Sequence, residues 1–161
     1  MLVRRAMLDR IGGIEHIRDE LIDDCSLAAA VRSAGGRVWL GLSSETRSIR
    51  PYDGFGEIRR MISRTAFTQL RYSVWLLAGT ILGLLLTYVA PPGLALAGSP
   101  WGAAAWVLMA IAYLPAVRFY RLSPLWTLTL PAVAVFYMGA TILSAVEHWR
   151  GRGGLWKGRT M

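Results

Sequence analysis

From Ser73 to Val117 the chain carries no charged residue. A folded water-soluble surface does not leave a run of that length unsolvated, and at about 20 residues per crossing it is enough for two passes through a bilayer. The residues on either side differ sharply. Residues 1–72 hold twelve arginines and nine acidic residues, and residues 118–161 hold five arginines, one lysine and one glutamate. Of all 161 residues, 54% are hydrophobic, above the usual soluble composition of about 45–50%. The excess is concentrated where charge is missing.

Three apolar spans fit this pattern. The first is 73–90, closed by Pro91-Pro92. The second is 101–117, closed by Arg118. The third is 125–146, with Pro131 inside it. Trp75, Trp101, Tyr120 and Trp149 stand near span ends, as interfacial aromatic belts do. Three consecutive apolar runs with nothing to solvate them argue against buried helices of a soluble domain.

The remainder divides into a mixed segment, 1–57, a basic amphipathic helix, 58–72, and a basic tail, 147–161. In the mixed segment, Ala6–Ile11 reads as a short helix closed by Gly12-Gly13. Ile14–Leu21 continues as a mixed, helix-compatible stretch. Asp23 and Asp24 open a helix over Cys25–Ala34 that Gly35-Gly36 ends. Val38–Leu42 reads as a strand, Thr46–Ile49 as a weaker one, and Pro51-Tyr52-Asp53-Gly54 as a turn. In the amphipathic helix, Ile58, Met61, Ile62, Ala66 and Leu70 share one side, with Arg60, Arg64 and Arg71 around the other. That suits a helix lying in the membrane interface.

The formal net charge is +8. The arginines flank apolar segments and no nucleic-acid reading motif is present, so membrane lipids are the expected partner and nucleic acid is not. The basic N-terminal segment predicts that residues 1–72 are cytoplasmic. Three complete crossings would then place the tail outside, although Arg150, Arg152, Lys157 and Arg159 favour the inside. One incomplete crossing reconciles the two, with Pro115 and Pro131 marking spans two and three as the candidates. No apolar stretch at the N-terminus has the form of a signal peptide. Cys25 is the single cysteine and permits no internal disulfide. His16 and His148 stand without partners at ligand spacing, and no phosphate-loop pattern occurs. No metal site is expected in this chain.

Acidic residues are favoured at helix N-termini, so Asp23-Asp24 read alone is a capping pair. The order of motifs around it adds a second meaning. Arg10-Ile11-Gly12-Gly13, Asp23-Asp24, Ala34-Gly35-Gly36 and Thr68-Gln69-Leu70-Arg71-Tyr72 precede the spans, and Trp156-Lys157-Gly158-Arg159 closes the chain. With Arg50-Pro51-Tyr52-Asp53-Gly54, this order resembles the C-terminal part of family-2 membrane glycosyltransferases, most closely the bacterial hopene-associated ones. The departures are Asp23 where the family has Glu, Thr68 where it has Gln, and Tyr72 where it has Trp.

The resemblance implies a membrane α-helical protein of about three spans, preceded by a partial GT-A α/β segment. It implies an inverting transfer of sugar from a nucleotide-sugar donor to a lipid-like acceptor. Asp24 would be the general base that takes the acceptor's proton, and Asp23 would orient the acceptor. Arg71 would meet the diphosphate charge, and Gln69 and Tyr72 would line the substrate channel. Enzymes of this family bind the nucleotide in an N-terminal half whose Asp-x-Asp holds a divalent metal, Mg or Mn. The sequence has no Asp-x-Asp. The expectation is therefore a fragment, inactive alone, whose donor half comes from elsewhere, such as a separate N-terminal chain. A multi-pass location in a bacterial inner membrane follows from the same resemblance. The alternatives are a non-enzymatic membrane remnant, anchor or assembly subunit, and a small transporter. Against the transporter, spans one and two lack the charged residues that mark an ion path.

Overall fold

The computed structural model describes residues 1–17, 22–46, 49, 52–152, 155–156 and 159–160, the last four by backbone alone and His16 without its side chain. The second half of the Ile14–Leu21 stretch, the middle two residues of the Thr46–Ile49 strand, Arg50-Pro51 and Lys157-Gly158 lie outside these residues. The chain forms two units, one of residues 1–43 with 154–161 and one of residues 44–153.

In the first unit, α1 spans Arg5–Arg10 and a single 3-10 turn spans Ile14–Ile17. Helix α2 spans Asp23–Ser33, starting at the acidic pair. Val31 is buried beneath it. The expected strand over Val38–Leu42 does not form, and neither Thr46 nor Ile49 is in a strand. A strand is held by ladder hydrogen bonds to a neighbour, and among the described residues this stretch has none. Trp39 and Leu40 stand open to solvent as a result. The described strands are two residues each, β1 at Leu155–Trp156 and β2 at Arg159–Thr160, paired antiparallel with Trp156 opposite Arg159. The partial α/β segment is therefore not formed, and the described secondary structure is helical apart from this pair.

The second unit begins with α3, Phe55–Gln69. Its first turn is tied by Glu57, whose carboxylate accepts from the Asp53 amide at 3.2 Å and faces Arg60 at 3.7 Å. Three apolar helices follow that are long enough to cross a membrane: Val74–Leu96, Pro100–Phe119 and Pro124–Trp149. Their outer faces expose Leu82, Leu86, Val107, Leu108, Ile111, Val135 and Ile142. Such a surface needs a hydrocarbon solvent.

The first apolar helix is α4 (Val74–Leu84), a π-helical turn (Leu85–Val89) and α5 (Ala90–Leu96) in continuous succession. It runs on through Pro91-Pro92, where the sequence suggested an end. A proline lacks the N–H that would close the preceding turn, and its ring presses on the carbonyl four residues back. For Pro91 that carbonyl belongs to Thr87, inside the π turn, where the wider winding makes room. The helix stops at Ala97, with Gly98 at φ +87°.

Helix α6 spans Pro100–Phe119, with the Ser99 hydroxyl capping Gly102 at 3.4 Å. A 3-10 turn over Pro124–Thr129 leads into α7, Leu130–Trp149. Pro131 thus occupies the first turn of α7, where its missing N–H costs nothing. Helix α3 lies lengthwise on α7, from Phe136 to His148. Phe55 meets Phe136 at 6.0 Å, and the Phe67 amide donates to Ser144 Oγ at 3.1 Å. The core of this unit is Phe67, Leu77 and Ala145, flanked by Leu70 and Ile81, at the junction of α3, α4 and α7.

Candidate functional site

The acidic pair stands at the open end of α2. Asp23 and Asp24 are both exposed. Asp23 Oδ1 accepts from the Asp24 amide at 3.0 Å, and Asp24 Oδ1 accepts from the Cys25 amide at 2.8 Å. The preceding residue, Ile22, offers no capping side chain. The two carboxylates therefore satisfy amides that a helix start leaves unbonded. The adjacent Cys25 thiol is exposed, yet it is held above its ordinary pKa. The desolvation it has is the first cause; the Asp24 carboxylate adds a negative charge and a hydrogen-bond acceptor.

The second group of candidate residues belongs to the other unit, at the end of α3. Gln69 is the last helical residue, and Leu70, Arg71 and Tyr72 turn the chain into α4. The turn is closed by Arg71 N–H to Thr68 C=O at 2.9 Å and Tyr72 N–H to Phe67 C=O at 3.1 Å. Ser73 then caps α4, its hydroxyl accepting from the Leu76 amide at 3.3 Å. The two turn bonds are those of a Schellman motif, which requires a left-handed residue just beyond the helix and usually has glycine there.

Helices α1, α2, α5 and α7 follow that usage with Gly12, Gly35, Gly98 and Gly151, at φ between +67° and +87°. Helix α3 instead has Arg71 at φ +51°, followed by Tyr72 at φ +55°. A side chain in this region costs about 1–3 kcal/mol per residue and persists only where surroundings hold it. Arg121, after α6, is the other such arginine among the described residues, at φ +55°.

What holds the Arg71–Tyr72 turn is an aromatic group. The Tyr72 ring stacks on the His148 imidazole, centroids 4.3 Å apart and planes 20° from parallel. Phe67, which is 1% exposed, meets Tyr72 edge-on at 5.7 Å, His148 at 5.4 Å and Trp149 at 5.6 Å. The Thr68 hydroxyl donates to the Tyr72 hydroxyl at 3.1 Å. Gln69, Arg71 and Tyr72 are exposed above this base. The arrangement presents a guanidinium, an amide and a phenol from one turn, at the point where the chain enters its first apolar helix.

Sequence reasoning singled out Gln69, Arg71 and Tyr72; Phe67, Ser144, His148 and Trp149, which the structure brings to the same turn, it did not. His148 read as isolated because its partners lie on α3 and the turn after it. The one available signal was the His148-Trp149 pair beside the basic end of the third span. Among the described residues no three His, Cys, Asp or Glu side chains gather as a metal site.

The family model for glycosyl transferase family 21 matches residues 1–160. No match is found among curated proteins or among solved structures. The motif order had suggested glycosyltransferase family 2; the family shown is numbered differently and covers nearly the whole chain. The chain belongs to glycosyl transferase family 21.

Proposed function

We propose that this chain is the acceptor-side part of a membrane glycosyltransferase that moves a sugar from a nucleoside-diphosphate donor to a lipid-like acceptor. The observation that carries the reading is the Gln69–Tyr72 turn, whose arginine sits in a strained backbone position at the mouth of the apolar helices. In a family of glycosyltransferases, a charge held there meets both a polar donor and an acceptor approaching from the bilayer. Residues 1–72 lie on the cytoplasmic side of a bacterial inner membrane, and the motif resemblance to hopene-associated enzymes suggests a hopanoid-type acceptor.

In this mechanism Asp24 accepts the proton of the acceptor hydroxyl. The Cys25 amide engages Asp24 Oδ1, and we assign the proton to Oδ2. The acceptor oxygen forms its bond to the anomeric carbon from the face opposite the leaving group. The bond from that carbon to the diphosphate breaks, with inversion. Asp23 orients the acceptor, Arg71 meets the charge that develops on the diphosphate, and Gln69 and Tyr72 line the channel. A divalent metal, Mg or Mn, and the ligands of the donor pyrophosphate come from residues outside this set, and no step above passes through the metal.

Substitution of Asp24 by Asn tests the reading. Membranes containing the protein and its donor-binding partner residues are supplied with labelled nucleotide sugar, and the label in extracted lipid is counted. Asn keeps the size but takes no proton, so transfer should fall about 100-fold or more. Asp23→Asn should cost less. The second reading, a purely structural capping pair, is favoured by the two amide bonds at the start of α2. Asn caps a helix about as well as Asp, so near-normal transfer by a well-folded Asp24→Asn protein would support it and remove Asp24 from the mechanism.

A further inference from the structure

We propose that His148 is a positioning residue for Arg71: its imidazole, stacked on Tyr72 and backed by Phe67, locks the turn that aims the guanidinium. This rests on the assignment of Arg71 to the diphosphate. The two left-handed residues, Arg71 and Tyr72, are joined directly. Backbone hydrogen bonds alone are what the glycine-capped helices use, and glycine pays no steric cost there. An arginine and a tyrosine do pay it, so something further must hold them.

The turn's described side-chain contacts supply that hold. Tyr72 lies face to face with His148 at 4.3 Å. The imidazole and the phenol both touch the fully buried Phe67 ring. Phe67 is fixed in turn by its own amide, which donates to Ser144 Oγ one helical turn before His148. The clamp therefore joins three points, α3 through Phe67, the turn through Tyr72 and α7 through His148. Arg71, like Gln69 before it, is exposed beside this clamp without being part of it. Glycine at position 71 would relax the backbone and lose the guanidinium. The clamp keeps the guanidinium and offsets the strain.

Trypsin reads the clamp directly, because it cuts after arginine and needs the bond extended in its cleft. The full chain in detergent or membranes is digested briefly, and the rate of cleavage between Arg71 and Tyr72 is followed by mass spectrometry. His148→Ala should raise that rate about 3- to 10-fold, the worth of one aromatic contact. His148→Phe, which keeps the stack, should leave it near wild type. Cleavage after Arg121, the other left-handed arginine, is the internal control for general loosening. No increase at Arg71 in His148→Ala, or an equal increase at Arg121, overturns the proposal.

Sugar transfer by the same variants, in membranes that also supply the donor site, separates this idea from the one it rests on. Loss of transfer in His148→Ala with recovery in His148→Phe supports both. A loosened turn with unchanged transfer keeps the clamp and overturns the role given to Arg71.

Discussion

Tyr72 stands immediately before the first apolar helix and His148 at the end of the last, yet their rings stack at 4.3 Å. The two ends of the membrane region therefore lie at one level. A chain that starts and finishes at the same level crosses an even number of times, which predicts that one of the three apolar helices makes no complete crossing. Helix α7 is the expected segment, because basic α3 lies along it from Phe136 to His148. A helix bearing exposed Arg59 and Arg60 belongs at the interface, and its packing partner lies there with it.

The expected consequence is that Arg150 and Arg152 share a side with residues 1–72. This removes the conflict between three spans and a basic tail. Single cysteines at position 152 (Arg152→Cys, in a Cys25→Ser background), at position 97 (Ala97→Cys, same background) and the native Cys25 can be labelled with an impermeant maleimide. Sealed vesicles of both orientations give the answer. Positions 25 and 152 should label from one side and 97 from the other, since 23 residues of helix reach about 34 Å. Labelling of 152 and 97 from the same side would refute the level placement.

The α5–α6 hairpin depends on close backbone approach at Gly102. A Cβ placed there would come within 2.6 Å of the Ala95 nitrogen and of Leu94 Cβ. Neither is the far end of a flexible side chain, so the helices themselves must separate. Small residues permit such contacts between apolar helices, where packing substitutes for the hydrophobic effect. Gly102→Val should lower the thermal midpoint of the detergent-solubilised protein, at a cost of about 1–3 kcal/mol for overpacking. Gly139→Ala, which meets open space, should not.

Phe67 anchors both the core and the aromatic group. Its side chain is 1% exposed, and truncation leaves a cavity among Leu77, Ala145 and the rings of Tyr72, His148 and Trp149. Phe67→Ala should destabilise by about 3–5 kcal/mol, visible as a lower denaturation midpoint in micelles. It should also free the Tyr72 ring. Phe67→Leu should recover part of the stability while losing the edge-on contacts.

Much of this was legible in the sequence for identifiable reasons. The three apolar helices follow from missing charge, which no tertiary context alters. Gln69, Arg71 and Tyr72 were singled out by the motif order they repeat, and their roles belong to the proposal above. The end of the first span was misplaced because proline ordinarily breaks a helix, whereas here a π turn absorbs Pro91. The strands were misread because β-propensity over Val38–Leu42 describes a surface that fits a sheet, and a lone segment has no sheet to join. The partnership of Tyr72 with His148 was out of reach, since two aromatic residues so far apart in sequence meet only once α3 has docked on α7. The left-handed backbone at Arg71 was equally hidden, because nothing in the residue type announces it.

The last expectation concerns Asp24 and its neighbour, and it can be measured without any substrate. Cys25 is the single thiol and is exposed, so its alkylation by a small reagent reports one site. Its pKa is raised, by desolvation first and then by the charge and acceptor oxygen of Asp24. A raised thiol pKa means less thiolate at any pH below it, and the thiolate is the nucleophile. In Asp24→Asn the negative charge is gone and desolvation remains. The thiol pKa should move down toward its ordinary value, and the curve of alkylation rate against pH should shift to lower pH. At pH 7.5 the variant should react faster than the wild type. Asp23→Asn should shift the curve less, because Asp23 is not among the groups acting on the thiol. An unshifted curve in Asp24→Asn would show that the carboxylate does not face the thiol.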